Sequence, residues 1–65
     1  MSKNEKENWL MNIEACATHV GNVVGYETVN FILKKYGANS IEELDPSDYA
    51  EVFGELYVIE VELEE

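Results

Sequence analysis

Apolar residues recur at spacings of three and four in the C-terminal third of the chain, from Asp45 to Glu65. This spacing predicts a helix with one buried face. Asp45 can cap its N-terminus, and Pro46 can occupy its first helical position, where a missing N–H has no cost. The run at 57–63 partly alternates and is rich in β-branched residues, so an extended conformation is the alternative there. The predicted buried face consists of Tyr49, Val52, Phe53, Leu56, Ile59 and Leu63.

Two further faces of the same predicted helix are unusual. Four acids share one of them: Asp48, Glu51, Glu55 and Glu62. Small or apolar residues share the other, where a lone surface helix would be polar: Ala50, Gly54, Tyr57, Val58 and Val61. Two apolar faces predict contact with more than one neighbour. The residues predicted to bind a partner are Asp48, Glu51, Glu55, Tyr57, Val58, Val61 and Glu62.

The N-terminal part of the chain predicts a first helix at about residues 4–19. Ser2 and Glu5 have the spacing of a capping box, and Gly21 with Asn22 is expected to end the helix. Its buried face would consist of Trp9, Leu10, Ile13, Cys16, Ala17 and Val20.

The middle of the chain predicts a second helix at 27–36, followed by Gly37 as its terminating glycine. The preceding segment, 23–26, fits either a short extended piece or the start of this helix. A serine-capped helical turn is expected at 41–44. The predicted fold is therefore all-α, a single domain over residues 1–65, with three main helices and one short helical turn.

Length and composition place limits on the class of protein. A chain of 65 residues buries only about 60% of the surface that it exposes when unfolded, so its stability is marginal. Docking on a partner or self-association would bury more surface and increase this stability. The apolar content of 46% is too high for a disordered chain.

The charge is strongly negative: 14 acids stand against four lysines, giving a net charge of −10. Ten of these acids, and no basic residue, lie from Glu42 onward. Such a surface repels phosphate groups, which disfavours direct nucleic-acid binding. It complements a basic protein surface, including the nucleic-acid groove of another protein. The simpler alternative is that the acids only keep the protein soluble.

Cys16 and His19, the only cysteine and histidine, are three residues apart on the first predicted helix. A thiol beside an imidazole suits a nucleophile or a metal ligand. However, Cys16 lies on the apolar face, which favours a small core residue, and zinc would require carboxylates as its remaining ligands.

Glu60 lies near the buried face of its helix, so its carboxylate is expected at the rim or paired. Lys34, Lys35 and a tyrosine hydroxyl are its predicted partners. Paired acids could also serve general acid–base chemistry or hold a divalent cation. The sequence nevertheless has no calcium-binding loop, glycine-rich phosphate loop or nucleophile elbow. We therefore expect no enzymatic activity, metal or cofactor.

A single cysteine permits no internal disulfide, the first eight residues are too polar for a signal peptide, and no apolar run approaches a membrane span. These features predict a cytoplasmic protein that binds neither membranes nor nucleic acid directly.

The segment from Val29 onward resembles a small acidic module of uncharacterised proteins of Firmicute phages and conjugative elements. The resemblance covers about half the chain and carries no catalytic role. It implies a phage or mobile-element setting, and thus the host cell cytoplasm. It rests on Lys35-Tyr36-Gly37-Ala38, Ser40-Ile41-Glu42-Glu43-Leu44, Pro46, Tyr49, Glu51-Val52-Phe53, Glu55-Leu56, Ile59-Glu60 and Leu63.

Two functions remain open at this point. The first is an acidic binding protein whose helix face imitates the phosphates of nucleic acid and inhibits a host nucleic-acid-handling or defence complex, such as a CRISPR complex. The second is a structural or regulatory module that forms homo-oligomers, a homodimer in the simplest case, through the arc at 50–61.

Overall fold

A computed structural model describes residues 1–63 of the chain. Within this range the chain has no β-strand, which confirms the all-α prediction. Residues 64 and 65, which end the predicted C-terminal stretch, lie outside the described residues. Over residues 1–63 the elements are helices α1 (Lys3–Val24), α2 (Tyr26–Lys35) and α3 (Tyr49–Leu63), with 3₁₀ turns at Ile41–Glu43 and Pro46–Asp48.

Helix α1 is longer than predicted, and the expectation that Gly21 and Asn22 end it is wrong. The helix continues to Val24 and ends at Gly25. Gly25 has a φ of 100°, a conformation that residues with a Cβ rarely adopt. The Tyr26 ring lies so close to Gly21 that a Cβ there would come within 2.5 Å of it. Gly21 therefore provides room for a ring and does not stop the helix.

The connection after α2 begins as predicted, but the predicted serine cap at its far end does not form. Gly37, with a φ of 76°, donates its N–H to the carbonyl of Lys34, and Ala38 donates to that of Leu33. This pair of bonds is a Schellman motif, and it brings the buried Ala38 under the core. Ser40 precedes the 3₁₀ turn at Ile41–Glu43 without capping it, and its hydroxyl instead donates to Glu43 Oε2 at 3.4 Å.

The entry to α3 differs in detail from the prediction. Asp45 caps it as expected, since its Oδ1 accepts from the Ser47 N–H at 2.9 Å. The residues from Pro46 to Asp48 form a 3₁₀ turn, however, and the α-helix begins only at Tyr49. Asp48, predicted to be in the first turn of the helix, therefore lies in the preceding 3₁₀ turn.

The core lies between α1 and α3, with α2 and the first 3₁₀ turn closing its sides. Its buried side chains agree with the predicted faces of α1 and α3, except that Trp9, Leu10, Phe53, Ile59 and Leu63 are only half-buried. Tyr36, which follows α2, is half-buried as well. The hydroxyl of the buried Tyr49 has no hydrogen-bond partner among the described residues. The buried set is Ile13, Cys16, Ala17, Val20, Val29, Ile32, Leu33, Ala38, Leu44, Tyr49, Val52 and Leu56.

Candidate functional site

The side of α3 that faces away from the core is apolar. Val58 is 57% exposed, Tyr57 50% and Val61 40%, and Ala50 and Gly54 are exposed as well. Helix α3 contacts both α1 and α2, but the second apolar face does not meet a second neighbour within the chain as predicted. Those contacts use its core side. We call the exposed set of Ala50, Gly54, Tyr57, Val58 and Val61 the outer arc.

Tyr57 is held in place on the outer arc by a row of aromatic rings. Its ring stacks on that of Phe53 at a centroid distance of 5.8 Å, and Phe53 meets the edge of Trp9 at 6.1 Å. The half-buried Phe53 and Trp9 join this row to the α1–α3 interface. An exposed tyrosine anchored in this way loses little side-chain freedom on binding, which suits an interface residue.

Glu55 is engaged within the molecule. Its Oε1 accepts from Lys35 Nζ and its Oε2 accepts from the Tyr36 hydroxyl, so it joins α3 to the end of α2. The hydrogen bonds from Lys35 and then Tyr36 hold the pKa of the Glu55 carboxyl below its usual value. The bond to Glu55, with smaller effects of burial and nearby acids, raises the pKa of Tyr36 to about 12.

The four acids that were predicted to share a face therefore differ in whether a partner could reach them. Asp48 is half-buried in the 3₁₀ turn, and Glu55 is bound to Lys35 and Tyr36. Glu51 and Glu62 are exposed and lie eleven positions apart on the helix, a separation of about 16 Å along its axis. The acids thus form two separated exposed charges beside the outer arc and not an even row.

A shallow groove runs between the end of α2 and α3. Its lining is Tyr36, Glu51, Gly54, Glu55, Val58 and Ile59. Nothing lies within 4 Å of the position that a Cβ on Gly54 would take, so this glycine leaves a gap in the helix surface. The groove thereby brings together acids, an aromatic ring and apolar side chains that the sequence placed on separate faces.

Glu60 pairs with His19 and not with its predicted partners, since Lys35 binds Glu55. The His19 Nδ1 lies 3.5 Å from Glu60 Oε2, across the α1–α3 interface. Burial and, next, the charge of Glu60 raise the pKa of the Cys16 thiol to about 11. The thiol is thus buried and protonated at neutral pH, the opposite of what a nucleophile requires.

One pair of carboxyl groups was not predicted from the sequence. Glu14 on α1 and Glu42 in the first 3₁₀ turn approach each other, and a hydrogen bond between them raises the pKa of Glu14. Hydrogen bonding to backbone first, and to Glu14 next, lowers the pKa of Glu42. Both residues are exposed and lie 28 positions apart in the sequence, where no local pattern predicts that they meet.

Within residues 1–63, no group of three or more histidine, cysteine or acidic side chains is placed to hold a metal ion. Over the same range, none of the helices combines the length and apolar character needed to cross a membrane. Comparison with known proteins adds nothing to these observations, because no family model, curated protein or solved structure matches the chain.

Proposed function

We propose that this protein is a non-enzymatic binding module that docks on a basic protein through the outer arc of α3 and the acids beside it. The observation that carries the proposal is the exposure of the outer arc. Neither Val58 nor Val61 belongs to the core or packs against it, so core packing does not account for valines at these positions.

Charge defines the class of partner. Glu51 and Glu62 border the outer arc, and no lysine lies within 4 Å of either carboxylate among the described residues. A partner that offers apolar side chains flanked by cations would cover both features. Since exposed charges act mainly through steering and are screened by salt, binding should weaken as salt rises.

The narrower form of the proposal is inhibition. Here the partner's basic surface is the nucleic-acid groove of a host nucleic-acid-handling or defence protein, in keeping with the resemblance to phage and mobile-element modules. Because Glu55 and Asp48 are engaged or half-buried, we assign the outer arc the larger share of the binding and the acids the role of orienting it. Duplex DNA should then compete with this protein for the captured partner.

The second function, self-association through the outer arc, is favoured by one observation. The space above Gly54 is open, so a second helix could approach closely there. Against it, two copies that each carry a net charge of −10 over the whole chain would repel each other. A Gly54→Arg variant would convert such an oligomer into a soluble monomer.

The experiment is capture from a bacterial lysate at low and at high salt, with light scattering on the purified protein and Glu51→Gln/Glu62→Gln as the matched variant. The proposal expects a basic protein that is captured at low salt and released at high salt, with weaker capture by the variant. A mass twice that of the chain, with no captured protein, would contradict this proposal and favour self-association.

A further inference from the structure

We propose that the groove beside Gly54 receives a single arginine side chain of the basic partner. In this arrangement the guanidinium lies between Glu51 and the Tyr36 ring, and its methylene groups lie on Val58 and Ile59. This inference rests on the proposed function and specifies its central contact.

The groove offers what the two ends of an arginine require. Its apolar part, Gly54, Val58 and Ile59, suits the aliphatic stem. Its polar end presents the exposed Glu51 carboxylate and the half-buried Tyr36 ring. A planar guanidinium can pair with a carboxylate through two N–H groups and stack on an aromatic face at once, which an ammonium cannot do.

The internal bonds of Glu55 prepare this site. Lys35 and the Tyr36 hydroxyl both donate to Glu55, which fixes the phenol ring as a wall of the groove. Glu55 is thus engaged within the chain, whereas the exposed Glu51 carboxylate has no ion-pair or hydrogen-bond partner among the described residues and can pair with an incoming cation.

The occupant is a different protein and not a second copy of this chain. The chain contains no arginine, and its lysines stop at Lys35. Lys35 is itself bound to Glu55. The absence of a side chain on Gly54 makes the gap that the arginine stem would fill, and a Cβ there would project into open space.

The test uses a synthetic amphipathic helical peptide with leucines at spacings of three and four and arginines beside them, and two counterparts in which citrulline or lysine replaces every arginine. Each is titrated into the ¹⁵N-labelled protein and followed by amide shifts. Gly54→Leu fills the gap, and Ala15→Leu, at an exposed helical position of α1 outside the outer arc and the groove lining, is its matched control. Thermal unfolding verifies that both variants fold.

We expect shifts centred on Gly54, Val58 and Tyr36, and a Kd at least about tenfold higher for the citrulline peptide and for Gly54→Leu. The lysine peptide should bind more weakly than the arginine peptide, and Ala15→Leu should bind as the wild type does. Shifts centred on Tyr57 and Val61 that Gly54→Leu leaves unchanged would overturn the arginine site and leave the proposed function standing. No shift on α3 with any peptide would contradict both.

Discussion

Val23 and Val58 are both helical valines exposed to 57%, yet their surroundings differ. Val23 lies at the corner between α1 and α2, where Tyr26 packs over Gly21 and its hydroxyl donates to Asn22 at 3.3 Å. Tyr26, one of the apolar residues at this corner, thus packs within the chain. Val58 lies on a continuous apolar arc beside a groove and two exposed acids. The second setting is the one to which we assign the proposed partner.

The largest effect should separate the two sides of α3. Leu56→Ala removes a fully buried side chain and should lower the free energy of unfolding by about 2–5 kcal/mol, enough to unfold much of so small a domain. Val58→Ala, on the opposite side, should change it by less than about 0.5 kcal/mol. Urea unfolding followed by circular dichroism measures both. Equal losses would mean that Val58 is part of the core.

Two tyrosines should respond oppositely to loss of the hydroxyl. Tyr49→Phe removes a buried hydroxyl that lacks a partner among the described residues, so stability should stay the same or rise by about 1 kcal/mol. Tyr36→Phe removes the hydrogen bond to Glu55 and should lower stability. The midpoints of thermal unfolding compare the two variants. A clear loss for Tyr49→Phe would show that its hydroxyl is satisfied in solution.

The bonds of Glu55 should appear in the pH dependence. Because the folded pKa of Glu55 is depressed, its contribution is present above the usual value of 4.5 and is lost as pH falls through the folded value. The pKa of Tyr36 is raised, so its contribution is present below the usual value of 10 and is lost as pH rises through about 12. NMR of the tyrosine rings should show the Tyr36 pKa falling toward 10 in Glu55→Gln. An unchanged titration would contradict the bond.

The last expectation concerns the reactivity of the buried Cys16 thiol in the folded protein. Since burial raises the pKa of Cys16 to about 11, a disulfide reagent at pH 8 should label the folded protein only as fast as it opens. Adding urea should raise the labelling rate in step with unfolding. Rapid labelling without urea would show that Cys16 is accessible and would reopen a thiol-based function.

The sequence predicts the core and misses the contacts that shape the site. Spacings of three and four were enough to place Val52 and Leu56 inside, because a helix buries whichever face is apolar. The pairing of Glu55 with Lys35 joins residues 20 positions apart, and no local pattern encodes it. The end of α1 was misplaced for a related reason: Gly21 has the same local signal whether it stops a helix or makes room for a ring.

The two equally exposed valines give the most direct test of the outer arc as a binding surface. Val58→Gln and Val23→Gln make the same change at sites of equal exposure, and glutamine is a good helix former. Immobilised wild type and both variants would be compared for capture of a basic protein at low salt. We predict that Val23→Gln captures as the wild type does and that Val58→Gln captures far less. Equal capture by all three would contradict the binding role of α3.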